Sequence, residues 1–310
     1  MSAPFAHEAL LYADEAELLD GVVPFVREGL GAGEPVLVAL PRDRLGAVRA
    51  AVSDTGERVS YVELDDVGRN PARILPVWHE FARGSGTAPC RGVGEPLWAG
   101  RDENERGECH RHEHLLNHAF HDRAGFRLLC PYDAGRLDPA DVERACASHP
   151  HVTARGAREE STSYTGPDGL EALEGDLAGL DGTPAELSVT APEQLAALRA
   201  VVRRHALDSG LDQERTNDVV LGVDELASNS LTYGGGRARV RIWNRHGTLI
   251  CEVSDRGHVA DPLVGRIPPS LASVGGRGLW IVNQVCDLVE LRSSAAGTTV
   301  RVRVSRRAAA

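Results

Sequence analysis

The residues of this chain best suited to chemistry begin with Glu225 and Asn229, four apart within Val219-Val-Leu-Gly-Val-Asp-Glu-Leu-Ala-Ser-Asn-Ser-Leu-Thr-Tyr-Gly234. If the stretch is helical, both side chains leave one face a turn apart. An amide oxygen is a hard ligand for Mg²⁺, and a carboxylate beside it can orient or deprotonate the attacking group in phosphoryl transfer. An ordinary solvated Glu–Asn pair has the same spacing, so the pair gains meaning only from the loops that follow. Asp255-Arg-Gly257 offers a carboxylate able to accept from an adenine amino group, with a glycine that admits the ring close to the backbone. Gly275-Gly-Arg-Gly-Leu279 opens a helix, where free N–H groups and the positive dipole end suit phosphates and Arg277 adds charge. Gly297-Thr-Thr299 begins a late strand from which the Thr298 hydroxyl could reach the aspartate, directly or through water.

A second set lies in Cys109-His-Arg-His-Glu-His-Leu-Leu-Asn-His-Ala-Phe-His121, which holds five of the twelve histidines. On a helix, His110, His114, His118 and His121 form one stripe, while Leu115, Leu116, Ala119 and Phe120 form the packing face. Such a stripe could chelate Zn²⁺ or a similar ion, with Cys109 or Glu113 as further ligands, or charge near pH 6 as a proton sensor. A solvated histidine-rich helix face is the plainer alternative.

The elements that must position these groups follow from periodicity. Val220, Val223, Ala227 and Leu231 recur at helical spacing and predict a buried stripe on the Glu225/Asn229 helix, ended at Gly234. Ala185–Val189 reads as a strand, with Thr190 as the cap of a helix that has Pro192 in its first turn. Residues 237–244 and 248–255 alternate and predict an antiparallel hairpin about Asn244–Gly247. A helix over 278–286 and strands over 288–292 and 298–304 complete a layer of helices on a mixed or antiparallel sheet. In the first half, a helix over 16–30, one opening at Pro41-Arg-Asp-Arg-Leu45 and one from 70 through 81 alternate with strands at 36–40, 58–64, 88–94 and 126–130, which argues for an α/β layer fold. There is no phosphate-loop signature of the G-x-x-x-x-G-K-[ST] type. Residues 151–183, rich in Ser, Gly, Asp and Pro, read as a linker between domains at 1–150 and 184–310.

A chain of 310 residues has room for two such domains, and 42% apolar with 25% charged residues is a globular balance. A formal net charge of −11 argues against nucleic-acid or anionic-membrane partners. Met1-Ser-Ala-Pro-Phe5 lacks a basic region followed by an apolar core, and no stretch reaches membrane-spanning length, so a cytoplasmic location is expected. The six cysteines contain no C-x-x-C pair and read as free thiols, Cys251 and Cys286 as core.

Two resemblances sharpen these readings. His7-Glu-Ala-Leu-Leu-Tyr12, Arg91-Gly-Val-Gly-Glu-Pro-Leu-Trp98, His112-Glu-His-Leu-Leu-Asn117 and Leu129-Cys-Pro-Tyr-Asp133 resemble the MEDS-type sensory domain. That resemblance implies a RecA-like α/β domain lacking the phosphate loop, which takes an unidentified small-molecule ligand. The ordered set of helix, Asp-x-Gly, glycine loop and threonine strand is similar to the GHKL ATP-binding fold, an α+β two-layer sandwich. It implies ATP and Mg²⁺ as cofactors, Glu225 as the catalytic or water-orienting carboxylate and Asn229 as the Mg²⁺ ligand. It further implies adenine reading by Asp255 and Gly257, phosphate binding by Gly275, Gly276, Arg277, Gly278 and Leu279, and Thr298 near the base.

No phosphoacceptor hairpin is apparent between 150 and 190, and the single Glu-Leu-x-x-Asn-Ser box is closer to anti-sigma factor kinases. This implies transfer to a serine or threonine of an antagonist protein, with sigma-factor binding as the other output and a homodimer compatible with both. The aspartate motif lacks a second glycine, and the lid over 258–274 carries Asp261-Pro and Pro268-Pro269. These departures keep open a non-catalytic scaffold. A metal-binding enzyme built on His110–His121 is the third alternative.

Overall fold

Val36–Leu40 is apolar throughout and forms a strand buried on both faces, as in the interior of a parallel sheet. It lies in the first of two units, residues 1–173 and 174–310, in a computed structural model that describes residues 5–173, 175–269 and 276–306. The first unit runs β1 (Ala6–Tyr12), α1 (Glu15–Gly31), β2 (Val36–Leu40), α2 (Arg42–Ala51), β3 (Val59–Glu63), α3 (Leu64–Val67) and α4 (Ile74–Gly84). It continues β4 (Cys90–Gly94), α5 (Glu103–Phe120), β5 (Phe126–Asp133), α6 (Pro139–Ser148), β6 (His151–Ala154) and β7 (Ala157–Glu160). These strands make one sheet in the order β3-β2-β4-β5-β1-β6-β7, parallel except at the β7 edge.

Alternation along the strands sends side chains to two layers. Leu10, Tyr12, Val36, Val38 and Leu40 pack in one cluster with Leu18, Val22 and Val26 of α1 and Val48 of α2. In a second aromatic cluster, Trp78 of α4 meets Phe126, which Phe120 of α5 contacts edge-on. The sequence expectation of an α/β layer fold holds, with two differences. β1, an interior strand between β5 and β6, escapes a hydropathy reading because His7 and Glu8 interrupt it. Residues 151–160, expected to begin an exposed linker, instead extend the sheet, β6 pairing with β1 and β7 with β6. Thr153 and Arg158 both bond the Glu8 carboxylate, so their polarity is matched inside the sheet.

The second unit runs β8 (Ala185–Val189), α7 (Leu195–Asp208), α8 (Gln213–Tyr233), β9 (Ala238–Arg245), β10 (Thr248–Asp255), α9 (Arg277–Val285), β11 (Leu288–Ser294) and β12 (Gly297–Ser305). Its five strands are all antiparallel, in the order β11-β12-β10-β9-β8. Val219, Val220, Val223, Leu226 and Ala227 of α8 pack with Val202 of α7 and Val282 of α9 on Val240, Cys251, Val253 and Val302. Each buried Val or Leu there contributes about 1.5–3 kcal/mol of transfer free energy, which fixes the rotation of α8 and so the direction of its polar face. Asp212 caps α8 by accepting from the Arg215 N–H at 2.8 Å. At α7 the expected Thr190 cap gives way to Gln194, whose side-chain oxygen accepts from the Thr190 and Ala191 N–H groups.

The β9–β10 turn places His246 and Gly247 at φ 47° and 81°, both left-handed, as a two-residue hairpin of this twist requires. Histidine adopts that region at a cost that asparagine largely avoids. His246→Asn should therefore stabilise this unit by about 0.5 kcal/mol, read as a rise of about 1–2 °C in its thermal midpoint.

Candidate functional site

The buried stripe of α8 turns Glu225 and Asn229 together toward the start of α9. A Cβ added to Gly278 would fall 2.8 Å from Glu225 Oε2 and 3.0 Å from Asn229 Nδ2, so a side chain there would displace the ends of both. Gly276 caps α9 in the left-handed conformation at φ 77°, and the chain then enters the helix through Arg277 and Gly278. Unpaired N–H groups at such an end attract anions. Gly275 lies outside the described residues.

Asn229, Gly276, Gly278 and Leu279 share one cavity of about 350 Å³ with Asp255, Gly257 and Thr298. Its apolar wall includes Leu226, Val253, Leu291 and Val300, and the exposed Tyr233 stands at its rim. That volume and mixture suit a small organic ligand held by a few polar groups. Asp255, last residue of β10, is fixed from two sides. The Gly257 N–H donates to its Oδ1 at 2.7 Å, and the Ser230 hydroxyl donates to its Oδ2 at 2.5 Å. The backbone of Gly234 closes against the same carboxylate, leaving no room for a side chain.

Thr298 pairs opposite Asp255 in the β10–β12 register, yet its hydroxyl does not reach that carboxylate. It donates instead to the Gly257 carbonyl at 3.0 Å and meets the Ser293 hydroxyl at 2.8 Å. Ser293 also accepts from the Val259 N–H at 2.8 Å, so Thr298 and Ser293 hold the loop after Asp255. Past that loop, Asn283 of α9 donates to the Gly265 carbonyl at 2.9 Å and ties the lid's described part to the helix. Ser230 enters the sequence reading only as the last residue of the Glu-Leu-x-x-Asn-Ser box, with no contact assigned to it; its spacing from Glu225 puts it on the side of α8 that faces the sheet.

The histidine stripe behaves differently. α5 begins with a reciprocal cap between Asp102 and Glu105 and then buries Glu108, His110, Arg111, His112, Glu113 and His114. His110 Nε2 meets Asp141 Oδ1 at 2.9 Å, and burial lowers its pKa against the pull of that carboxylate. His114 packs against the backbone at Gly169, and burial lowers its pKa to about 4. His118 and His121 are exposed, His121 beside Asp122. The stripe thus splits between an interior and a solvated end, and the four rings do not converge. The reason is that α6 and the turn at Gly166–Leu173 cover the polar face of α5 that the sequence left open to water.

Comparison with known proteins follows this division. Residues 6–150 match the family model of the MEDS domain, the methanogen/methylotroph DcmR sensory domain. Residues 189–304 match that of the histidine kinase-like ATPase domain. The first part of the chain is therefore similar to MEDS domains and the second to histidine kinase-like ATPase domains, and the latter similarity implies ATP binding. No curated protein matches the chain. Among solved structures, the RsbU and RsbW domains of Rv1364c from Mycobacterium tuberculosis align at 15% identity with a TM-score of 0.29. The alignment covers 42% of this chain and 34% of that one, so the chain spans about a third of that structure's length. A TM-score at that level bears on neither fold nor function. Among the described residues, no helix is long and apolar enough to cross a membrane.

Proposed function

We propose that the chain is a signalling regulator in which a small-molecule-sensing domain controls an ATP-dependent serine/threonine protein kinase of the anti-sigma factor type. Its acceptor would be an antagonist protein, with sigma-factor binding as a second output, and it would act in the cytoplasm. The observation that carries this reading is the single cavity in which Asn229, Asp255 and Gly278 meet, with Glu225 beside Gly278.

In that cavity Asp255 would accept from the adenine amino group, with Gly257 admitting the ring edge. The phosphates would lie over Gly276 and Gly278 at the start of α9, and the Asn229 amide oxygen would hold Mg²⁺. ATP, when bound, supplies the phosphoryl group. Glu225 would orient or accept the proton of the attacking hydroxyl. Between β7 and β8 the described residues hold one 3-10 turn and no helical hairpin, which favours an acceptor on another protein over a histidine in this segment.

Incubating the full chain with γ-labelled ATP, Mg²⁺ and a serine-bearing antagonist protein tests the proposal. Acid-stable, alkali-labile label on the acceptor is expected. Acid-labile label would indicate histidine transfer, and tight Mg·ATP binding with no label would leave a nucleotide-responsive scaffold.

A further inference from the structure

Glu113 of α5 lies inside the first unit, only 1% exposed. Its Oε1 accepts from the Tyr132 hydroxyl at 2.9 Å. Its Oε2 faces His7 Nε2 at 3.1 Å, His149 Nε2 at 3.6 Å and Cys130 Sγ at 3.7 Å. His7 Nε2 also lies 3.3 Å from Cys130 Sγ. All four residues are buried, and their ligand atoms lie within 4.8 Å of one another. They come from β1, α5, β5 and the residue after α6.

Hydrogen bonding fixes which nitrogen of each ring carries a proton. Asn117 Nδ2 donates to the Ser148 carbonyl at 2.7 Å, so its Oδ1 faces His7 Nδ1 at 2.9 Å as an acceptor. His7 Nδ1 is therefore the donor. His149 Nδ1 lies 2.7 Å from the Ala145 carbonyl, which can only accept. Both neutral rings thus aim an Nε2 lone pair at a carboxylate oxygen. His149 Nε2 has no hydrogen-bond partner. One shared proton would satisfy His7 and Glu113 and still leave His149 opposed to the carboxylate.

We infer that this cluster binds a divalent transition-metal ion, zinc being the best match to two imidazoles, one carboxylate and one thiolate. Four ligands at ordinary zinc bond lengths stand about 3.3–3.8 Å from each other around a tetrahedron. Four of the six separations, 3.1, 3.3, 3.6 and 3.7 Å, fall at or near that range, and all six lie within 4.8 Å, so small side-chain adjustments would complete the tetrahedron. The Asn117 and Ala145 oxygens supply the outer hydrogen bonds that orient metal-bound histidines. On binding, Cys130 gives up its thiol proton and the ion compensates the buried carboxylate, locking α5 and the end of α6 to β1 and β5. This inference is independent of the nucleotide site.

The test uses the purified full chain, stripped with chelator and titrated with Zn²⁺ and then Co²⁺. About one zinc per chain is expected. Co²⁺ should give tetrahedral d–d bands with a thiolate charge-transfer band. Cys130→Ser should keep the d–d bands and lose the charge-transfer band, while His149→Ala should weaken zinc binding at least tenfold. His118→Ala with His121→Ala should change nothing. Circular dichroism checks folding, and if His149→Ala does not fold, Cys130→Ser decides. No zinc retained by folded parent, or a charge-transfer band that survives Cys130→Ser, would overturn the assignment.

Discussion

Asp255→Asn should weaken Mg·ATP binding by about 10–150-fold, the loss expected when a hydrogen bond to a charged acceptor worth about 1.5–3 kcal/mol is removed. The carboxylate has two oxygens with separate duties: Oδ1 receives the Gly257 N–H and Oδ2 receives the Ser230 hydroxyl. Each oxygen keeps one further acceptor site, and a purine amino group would use it. An amide in its place turns one of these acceptors into a donor. It would then face either the Gly257 N–H or the incoming amino group, and both contacts are repulsive. The same change should narrow the preference for ATP over GTP, because guanine presents a carbonyl where adenine presents its amino group. Isothermal titration with each nucleotide, on protein whose circular dichroism matches the parent, measures both effects. Equal affinity in a folded variant would remove Asp255 as the base-reading group.

How much of this was legible in the sequence depends on what each residue must do. β2 could be read because all five of its residues face other apolar groups, so its run is uninterrupted. The convergence of Asn229, Asp255 and Gly278 on one cavity could be anticipated because the proposed chemistry rests on residue types with few substitutes. A glycine lies where α9 meets the ends of Glu225 and Asn229, and a carboxylate is placed where a strand ends.

The segments that misled are those where tertiary contacts set the polarity. β1 carries His7 and Glu8 inside the sheet, each matched by a partner more than a hundred residues away. α5 looks solvated by composition, yet its polar side chains from Glu108 to His114 are inside, where His110 pairs with Asp141 and Glu113 with Tyr132 and His7. Thr298 was placed correctly on its strand, but a hydroxyl rotates toward whichever acceptor is nearer, and that is the Gly257 carbonyl. The cluster at Glu113 was beyond reach because its members sit at positions 7, 113, 130 and 149, joined only by sheet order.

Glu225→Gln should lower phosphoryl transfer by about 10²–10⁴-fold, the usual range for loss of a positioned acid–base group. Mg·ATP affinity should stay within about threefold, because in the proposed mode binding would rest on Asp255, the α9 terminus and Asn229. The substitution suits the purpose. Glutamine matches glutamate in shape and helix propensity, and position 225 is half-buried beside Gly278 rather than packed in the α8 core stripe. What changes is the ability to take a proton or to orient a hydroxyl by accepting from it. Asn229→Ala provides the contrast: losing the proposed Mg²⁺ ligand should depress affinity and rate together. Single-turnover transfer from γ-labelled ATP at saturating nucleotide, paired with titration of Mg·ATP affinity, separates the two variants, since both should transfer slowly but only Asn229→Ala should also bind weakly. If Glu225→Gln transfers as fast as the parent under those conditions, the carboxylate is not the acting group, and the pairing of Glu225 with Asn229 over Gly278 serves only to seat α9 against α8.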